Sequence, residues 1–289
     1  MERILKGIQA DYAYERGWFG QGVGVAVLDT GVSPHRDLQG QVVRFRDYVR
    51  GMAACYDDNG HGTHICGIIA ANNHTSLHGV APECSLHVCK VLDRNGNGRI
   101  EDTCRAVEDL ILENRKGRQT VRIMNVSVGM TDAVGPKQQR RLIDAVEEAW
   151  DSGIVVLAAA GNNGPGEHTI TSPGVSRKII TVGSVDDQWN AHGRKGYSGR
   201  GPTQECVVKP EILMPGTNIV SCANRTGGYT RKSGTSMAVP VLTGVIALLL
   251  NAHPRLSPNE VKMRLFYAAR QVDDSSGKSW GTVTLDGLL

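Results

Sequence analysis

Four glycine-bearing segments follow one another along this chain: VAVLDTGV, DNGHGTHICGIIAA, AAAGNNG and SGTSMAVP. They carry Asp29, His61, Asn162 and Ser236. A serine hydroxyl is a weak nucleophile until a base takes its proton. An imidazole serves as that base when a carboxylate fixes its tautomer and stabilises its charged form. A side-chain amide can donate to the oxyanion that forms when the hydroxyl adds to a carbonyl. Together the four residue types supply a complete set for acyl transfer, with peptide hydrolysis as the leading reaction.

Each residue taken alone also has a plain structural explanation. Asp29 could be a turn aspartate in D-T-G, although a carboxylate at the end of a buried strand is costly without a partner, and a histidine supplies one. His61 and His64 lie one helical turn apart, so they could hold a metal with Asp57 or Asp58. That spacing is not H-E-x-x-H, however, and it leaves Ser236 without a role. His64 reads as a structural hydrogen-bonding residue. Asn162, between Gly161 and Gly164, could be a loop residue in a left-handed turn. Ser236 could be an ordinary N-cap before an apolar helix. The same position places it among helix amides and the positive dipole end, which favour a developing anion, with Pro240 in the first turn. G-x-S-x-G is absent, which excludes the α/β-hydrolase elbow.

The elements that must hold these residues alternate. GVGVAVLD, SLHVCKVL, RIMNVSV, GIVVLAAA and KIITVGS read as strands buried on both faces. Between them, Ala106, Val107, Leu110 and Ile111 form one helical stripe, and Leu142, Ile143, Val146, Ala149 and Trp150 another, with Pro136 at its start. Ser257-Pro258-Asn259-Glu260 is a capping box. The pattern predicts a doubly wound α/β fold, with a mostly parallel central sheet and helices on both faces. In such sheets ligands sit beyond the carboxyl ends of the strands, where the four segments would lie. Residues 50–60 and 186–210 read as surface loops, and no linker divides residues 1–289, so one catalytic domain is expected.

With 40% hydrophobic and 21% charged residues, the composition is that of a folded protein and excludes a disordered one. The basic runs RKGRQTVR and QQRR lack interleaved aromatics and read as solvated helix ends, so no nucleic-acid partner is expected. Seven cysteines without a C-x-x-C pair argue against a zinc ribbon or a disulfide framework and fit reduced thiols. Met1 is followed by Glu2 and Arg3 without an apolar leader core, and the run VIALLLNA is too short to span a membrane. The expectation is a cytoplasmic protein without a membrane partner, the alternative being a secreted mature fragment.

The motifs DTG, HGTH, AAAGN and GTSMA, in this order over residues 7 to 270, resemble the subtilisin (subtilase, S8) family of serine peptidases. The order Asp, His, Ser is that of subtilisin itself. The resemblance implies Asp29 as orienter, His61 as general base, Ser236 as nucleophile and Asn162 as oxyanion donor, with polypeptides as substrates. It further implies that Ser127, Val128 and Gly129, together with Ala158, Ala159, Ala160 and Gly161, pair with an extended peptide and wall its P1 pocket. Thr171 resembles the pocket-floor position that is often glycine, which implies a shallow pocket for medium apolar side chains. A structural Ca²⁺ is also implied, with Glu2, Asp37 and Asn73 near the corresponding positions, although that loop is one residue short. The chain departs from the pattern at Cys66, Glu211 and Met214, and in Val239, Val241, Leu242 and Thr243 around Pro240. Two other functions use the same residues. A transpeptidase or macrocyclase would need an insertion shielding the acyl-enzyme, and none is evident. A peptide-binding pseudoprotease would not need the intact set.

Overall fold

Runs of Val, Ile and Leu without polar alternation bury both faces of a strand, and here they form the centre of the molecule. The computed structural model describes residues 1–73, 77–117, 121–127, 129, 135–187, 196–225, 227–271 and 279–289. Short helices α1 (Glu2–Gly7) and α2 (Asp11–Tyr14) lead into β1 (Gly24–Asp29), all six residues of which are buried. A 3-10 turn at Arg36–Leu38 and strand β2 (Val42–Asp47) precede α3 (His61–Ala70). Next come β3 (Asn72–Asn73), β4 (Leu77–His78), β5 (Ser85–Lys90) and α4 (Ile100–Arg115). They are followed by β6 (Val121–Val126), α5 (Pro136–Asp151), β7 (Val155–Ala159) and β8 (Ile180–Ser184). The chain continues through β9 (Ile212–Met214), β10 (Ile219–Cys222) and β11 (Tyr229–Lys232). It ends in α6 (Thr235–Ala252), α7 (Pro258–Ala268) and α8 (Leu285–Leu288).

Seven strands make one sheet in the order β2-β5-β1-β6-β7-β8-β9, with every neighbouring pair parallel. This is the doubly wound α/β architecture expected from the alternation. β1 lies between β5 and β6, so the direction of winding reverses around it, which is where such sheets open a crevice. The register brings Leu28 beside Val126 and Val126 beside Ala158. The carboxyl ends of β1, β6 and β7 therefore lie side by side, and the chemistry-bearing segments leave the sheet together.

The predicted capping box is present: the Ser257 hydroxyl accepts from Glu260 N–H, and the Glu260 carboxylate accepts from Ser257 N–H. By length and composition α6 could cross a membrane, which the reading of its shorter apolar run missed, but 83% of it is buried inside the molecule. Interior packing accounts for its apolarity. β2, β9 and the β10–β11 hairpin were not foreseen. β2 is an edge strand with mixed charge, and β9 has only three residues, so neither carries a periodic signal.

The stretch read as a surface loop at 186–210 also ends in a buried charge. The Lys209 ammonium is fully buried and donates to both Glu211 carboxylate oxygens (2.7 and 3.0 Å), to the Ile179 carbonyl and to the Thr181 hydroxyl. Lys262 of α7 reaches the same carboxylate at 2.9 Å, and Glu211 Oε2 accepts from Thr181 N–H. Burial pushes Lys209 down to about 8 despite the neighbouring Glu211 charge. Glu211→Ala should therefore cost about 3–5 kcal/mol in denaturant unfolding, because it leaves a buried charge unpaired. The double substitution Lys209→Met, Glu211→Leu should recover most of that loss. Equal losses in the two variants would refute the pairing argument.

Candidate active site

Asp29 is the last residue of β1 and is fully buried. His61 opens α3, and its Nδ1 lies 2.8 and 3.0 Å from the two Asp29 oxygens. An ionised carboxylate only accepts, so Nδ1 carries the proton and Nε2 keeps its lone pair. Thr30 N–H donates to Asp29 Oδ1 at 2.7 Å, a second partner for the buried charge. Burial disfavours the charged imidazole, but the Asp29 charge and hydrogen bond outweigh it and raise His61 above its ordinary value of 6.5, against an opposing influence from Lys232. The side chain is 25% exposed, so one edge of the ring remains open.

The strand end and the helix start are joined by Asp57. Its carboxylate accepts from the Thr30 hydroxyl (2.9 Å), Gly60 N–H (2.7 Å), Thr63 N–H (2.9 Å) and the Thr63 hydroxyl (2.7 Å). Gly62 N–H donates to the Thr30 hydroxyl at 2.9 Å. Burial pushes the Asp57 carboxyl up, and these bonds overcome that to hold it below the usual carboxylate range. Asp57 is thus spent on the backbone and hydroxyls around it. From sequence alone Asp57 reads only as a candidate for the rival metal site, within the surface loop 50–60. Lys90, also fully buried, donates to the Thr30 and Leu92 carbonyls and to Asp58 (2.6, 2.9 and 2.8 Å). At Gly62 an added Cβ would stand 2.1 Å from the Gly31 carbonyl oxygen, so only glycine lets α3 begin this close to β1. His64 is buried and its Nε2 faces the carbonyls of Ile219 and Thr230 (3.1 and 3.2 Å). Burial holds its pKa near about 3, so the ring is neutral and fastens the β10–β11 hairpin to α3.

Ser236 is the second residue of α6. Pro240 is the sixth and not, as expected, in the first turn. Because Pro240 has no N–H, the Ser236 carbonyl loses its helical donor four residues on. The Ser127 hydroxyl takes that place at 3.3 Å and itself accepts from the Asn125 amide at 2.8 Å. Asn125 accepts in turn from the Thr243 hydroxyl, about two turns beyond Ser236 along α6 (3.0 Å). The Ser236 hydroxyl donates to the Ser127 carbonyl at 3.0 Å, and among the described residues it makes no bond to His61. Asn162, exposed after β7, has its oxygen fixed by Thr235 N–H (3.0 Å) and the Thr235 hydroxyl (3.2 Å). Its NH₂ is thereby turned away from Thr235, with donors to spare.

The residues expected to line substrate divide into two kinds. Ser127 follows β6 and is buried, Gly129 is exposed, and Val128 lies outside the described residues. Ala158 and Ala159 are paired within β7, Ala160 N–H donates to Val182, and the Ala160 carbonyl accepts from Thr171 N–H. The Gly161 carbonyl accepts from Gly199 N–H, and Gly161 N–H donates to the Thr235 hydroxyl. With these groups committed, the Ala158–Gly161 segment can wall a pocket but offers little backbone for pairing with a peptide. Thr171 stands between the two segments: a Cβ at Gly129 or Gly161 would come within 2.7 Å of its side chain. Its hydroxyl is buried with no partner among the described residues, and it also lines a cavity of about 700 Å³ with Ile170, Ser172 and Val175.

For the calcium expectation, Asp37 is fully buried in the 3-10 turn, and β3 packs against that turn. Asn73 pairs through its backbone with Leu77, and its side chain lies outside the described residues. Glu2 is exposed in the first turn of α1. Among the described residues, the His35 imidazole and the Cys222 thiol lie close to the Asp37 carboxylate. All seven cysteines are free thiols, five of them buried.

A buried carboxylate on a strand end, an imidazole on a helix start, and a serine with an adjacent amide at the mouth of a core helix define a class of proteins as well as a geometry. The model of the subtilase family, Peptidase S8, matches residues 20–281. The chain belongs to that family. It is 44% identical over 266 residues to the serine protease AprX of Bacillus subtilis (strain 168), covering 84% of this chain and 60% of AprX. It is 35% identical over 283 residues to subtilisin DY of Bacillus licheniformis, covering 96% of this chain and 95% of that protein. Among solved structures, a cold-adapted subtilisin-like serine proteinase superposes with a TM-score of 0.73 at 31% identity, covering 92% of this chain and 88% of the other.

The Asp29–His61 contact sets a measurable titration. By NMR the His61 ring should titrate above 6.5 and fall below its native value in Asp29→Asn, which removes the charge that holds the proton. A native midpoint at or below 6.5 would contradict the geometry.

Proposed function

We propose that this chain is a serine endopeptidase in which Ser236 is the nucleophile, His61 the general base, Asp29 its orienter and Asn162 the oxyanion donor. The observation that carries this reading is the 2.8 Å bond that fixes the His61 tautomer and leaves Nε2 as acceptor. A peptide lies along the segment after β6, and rotation of the Ser236 side chain moves its hydroxyl from the Ser127 carbonyl to His61 Nε2. His61 takes the hydroxyl proton as Oγ bonds to the scissile carbonyl carbon. The oxyanion is met by the Asn162 NH₂ and the Ser236 N–H at the start of α6. His61 then gives its proton to the leaving amine, the C–N bond breaks, and water hydrolyses the acyl-enzyme by the same steps.

Ser236→Ala should abolish fluorophosphonate labelling and peptidase activity together. Unchanged turnover in the variant would dispose of the mechanism, and a parent protein that shows neither labelling nor turnover would favour the pseudoprotease. Products carrying a new peptide bond, seen by mass spectrometry, would favour the transpeptidase. Asn162→Ala should lower kcat by about 10²–10³, a range set by subtilisin rather than by this geometry. KM should change little.

Thr171 is the residue we assign to P1 selectivity, because its side chain fills space that a glycine would leave open. Medium apolar P1 side chains such as Leu should be preferred, and Thr171→Gly should move the preference toward Phe by about tenfold or more, tenfold being the worth of about one buried methylene. A strong preference for Arg, or an unchanged profile in the variant, would sink this assignment.

A further inference from the structure

Three residues unused by acyl transfer converge beside α3. His35, Asp37 and Cys222 are 6%, 0% and 0% exposed. One donor atom from each, an imidazole nitrogen, a carboxylate oxygen and a thiol sulfur, lies within 4.8 Å of the other two. Two of them come from the 3-10 turn region after β1 and the third from the end of β10. The Cys222 sulfur rests against α3, where a Cβ on Gly67 would approach it to 2.7 Å.

The surroundings orient these donors. His35 Nε2 donates to the Gly228 carbonyl at 2.9 Å, while Nδ1 accepts from Asp37 N–H at 3.1 Å. The tautomer is therefore the one that keeps a lone pair on Nδ1, on the side of Asp37. A histidine that offers one nitrogen to a metal and donates the other N–H to a carbonyl is the usual outer arrangement of metal sites. Asp37 Oδ2 accepts from the Tyr229 hydroxyl at 2.6 Å, and the Arg36 guanidinium lies 3.6 Å from Oδ1.

We propose that His35, Asp37 and Cys222 form a binding site for a thiophilic divalent cation of the Zn²⁺ type. Calcium and magnesium take oxygen ligands, whereas a mixed imidazole, thiolate and carboxylate set suits zinc. Zinc bonds of about 2.0–2.3 Å put neighbouring tetrahedral ligands about 3.3–3.8 Å apart. Side-chain rotations that draw the donors inward by about 1 Å would close the site around the ion, with water in the fourth position. Binding forms Zn–N, Zn–O and Zn–S bonds, displaces the Asp37 N–H from Nδ1 and releases the thiol proton to solvent. The bound ion ties β10, which leads through its hairpin to Ser236, to the turn that follows Asp29. This site does not depend on the peptidase reading.

The test uses the full chain carrying Ser236→Ala, so that the sample cannot digest itself, stripped of metal and titrated with Co²⁺. A thiolate-to-cobalt charge-transfer band should saturate at about one equivalent and be displaced by an equal amount of Zn²⁺. It should persist in excess Ca²⁺ and in Cys206→Ser, vanish in Cys222→Ser, and weaken in affinity by about tenfold or more in His35→Gln. Absence of the band, its survival in Cys222→Ser, or its displacement by Ca²⁺ would overturn the site. Zinc-edge X-ray absorption on the protein with the site intact gives a second readout should the variants fail to fold. A sulfur neighbour at about 2.3 Å supports the proposal, and an all-oxygen shell overturns it.

Discussion

The cleft depends on one electrostatic constraint: a carboxylate with no access to water stands at the end of the central strand. His61 Nδ1–H and Thr30 N–H are the hydrogen bonds that compensate this buried carboxylate. Thr30 is held by Asp57 and Lys90, and Asp57 holds the first turn of α3. The charge, the strand end and the helix start are therefore one unit. A change that loosens any of them exposes the others to an unpaired buried group, the most expensive defect a core can carry.

Ser236 reaches this unit by a different route. It sits on α6, which lies on the sheet against β6, β7 and β8 and also contacts α3. Asn125 and Ser127 bind α6 at two heights, through the Thr243 hydroxyl and the Ser236 carbonyl. Pro240 makes the second bond possible by removing the competing helical N–H. Asn125 of β6 and Ser127 just after it thus set the position of a helix that begins far along the chain, and the winding reversal at β1 brings both routes to one crevice.

Much of this was legible in the sequence. The five apolar runs became β1, β5, β6, β7 and β8, the stripes at 106–111 and 142–150 became faces of α4 and α5, and the capping box formed at α7. Those features are periodic or local, and local chemistry decides them. Asp57 and Lys209 were illegible because polar residues in irregular segments look the same whether solvated or buried, and Lys90 because the end of an apolar strand does not show where a long side chain goes; only long-range closure supplies their partners. The backbone partners of Ala158–Gly161 were illegible for a related reason. A strand motif does not reveal which neighbours already hold its backbone, and here β6, β8, Thr171 and Gly199 do.

The burial of α6 has a mechanical consequence. A helix of 18 residues locked into the core behaves as a rod, and Ser236 is at its tip. The tip is tied through the buried helix to the sheet beneath it, which fixes the backbone of Ser236 in place. All travel of the hydroxyl is left to a single torsion about its Cα–Cβ bond, and the carbonyl on which it rests belongs to the segment that a peptide would lie along. On the function proposed above, a peptide that took up the Ser127 carbonyl would also free the Ser236 hydroxyl, because the same oxygen serves both.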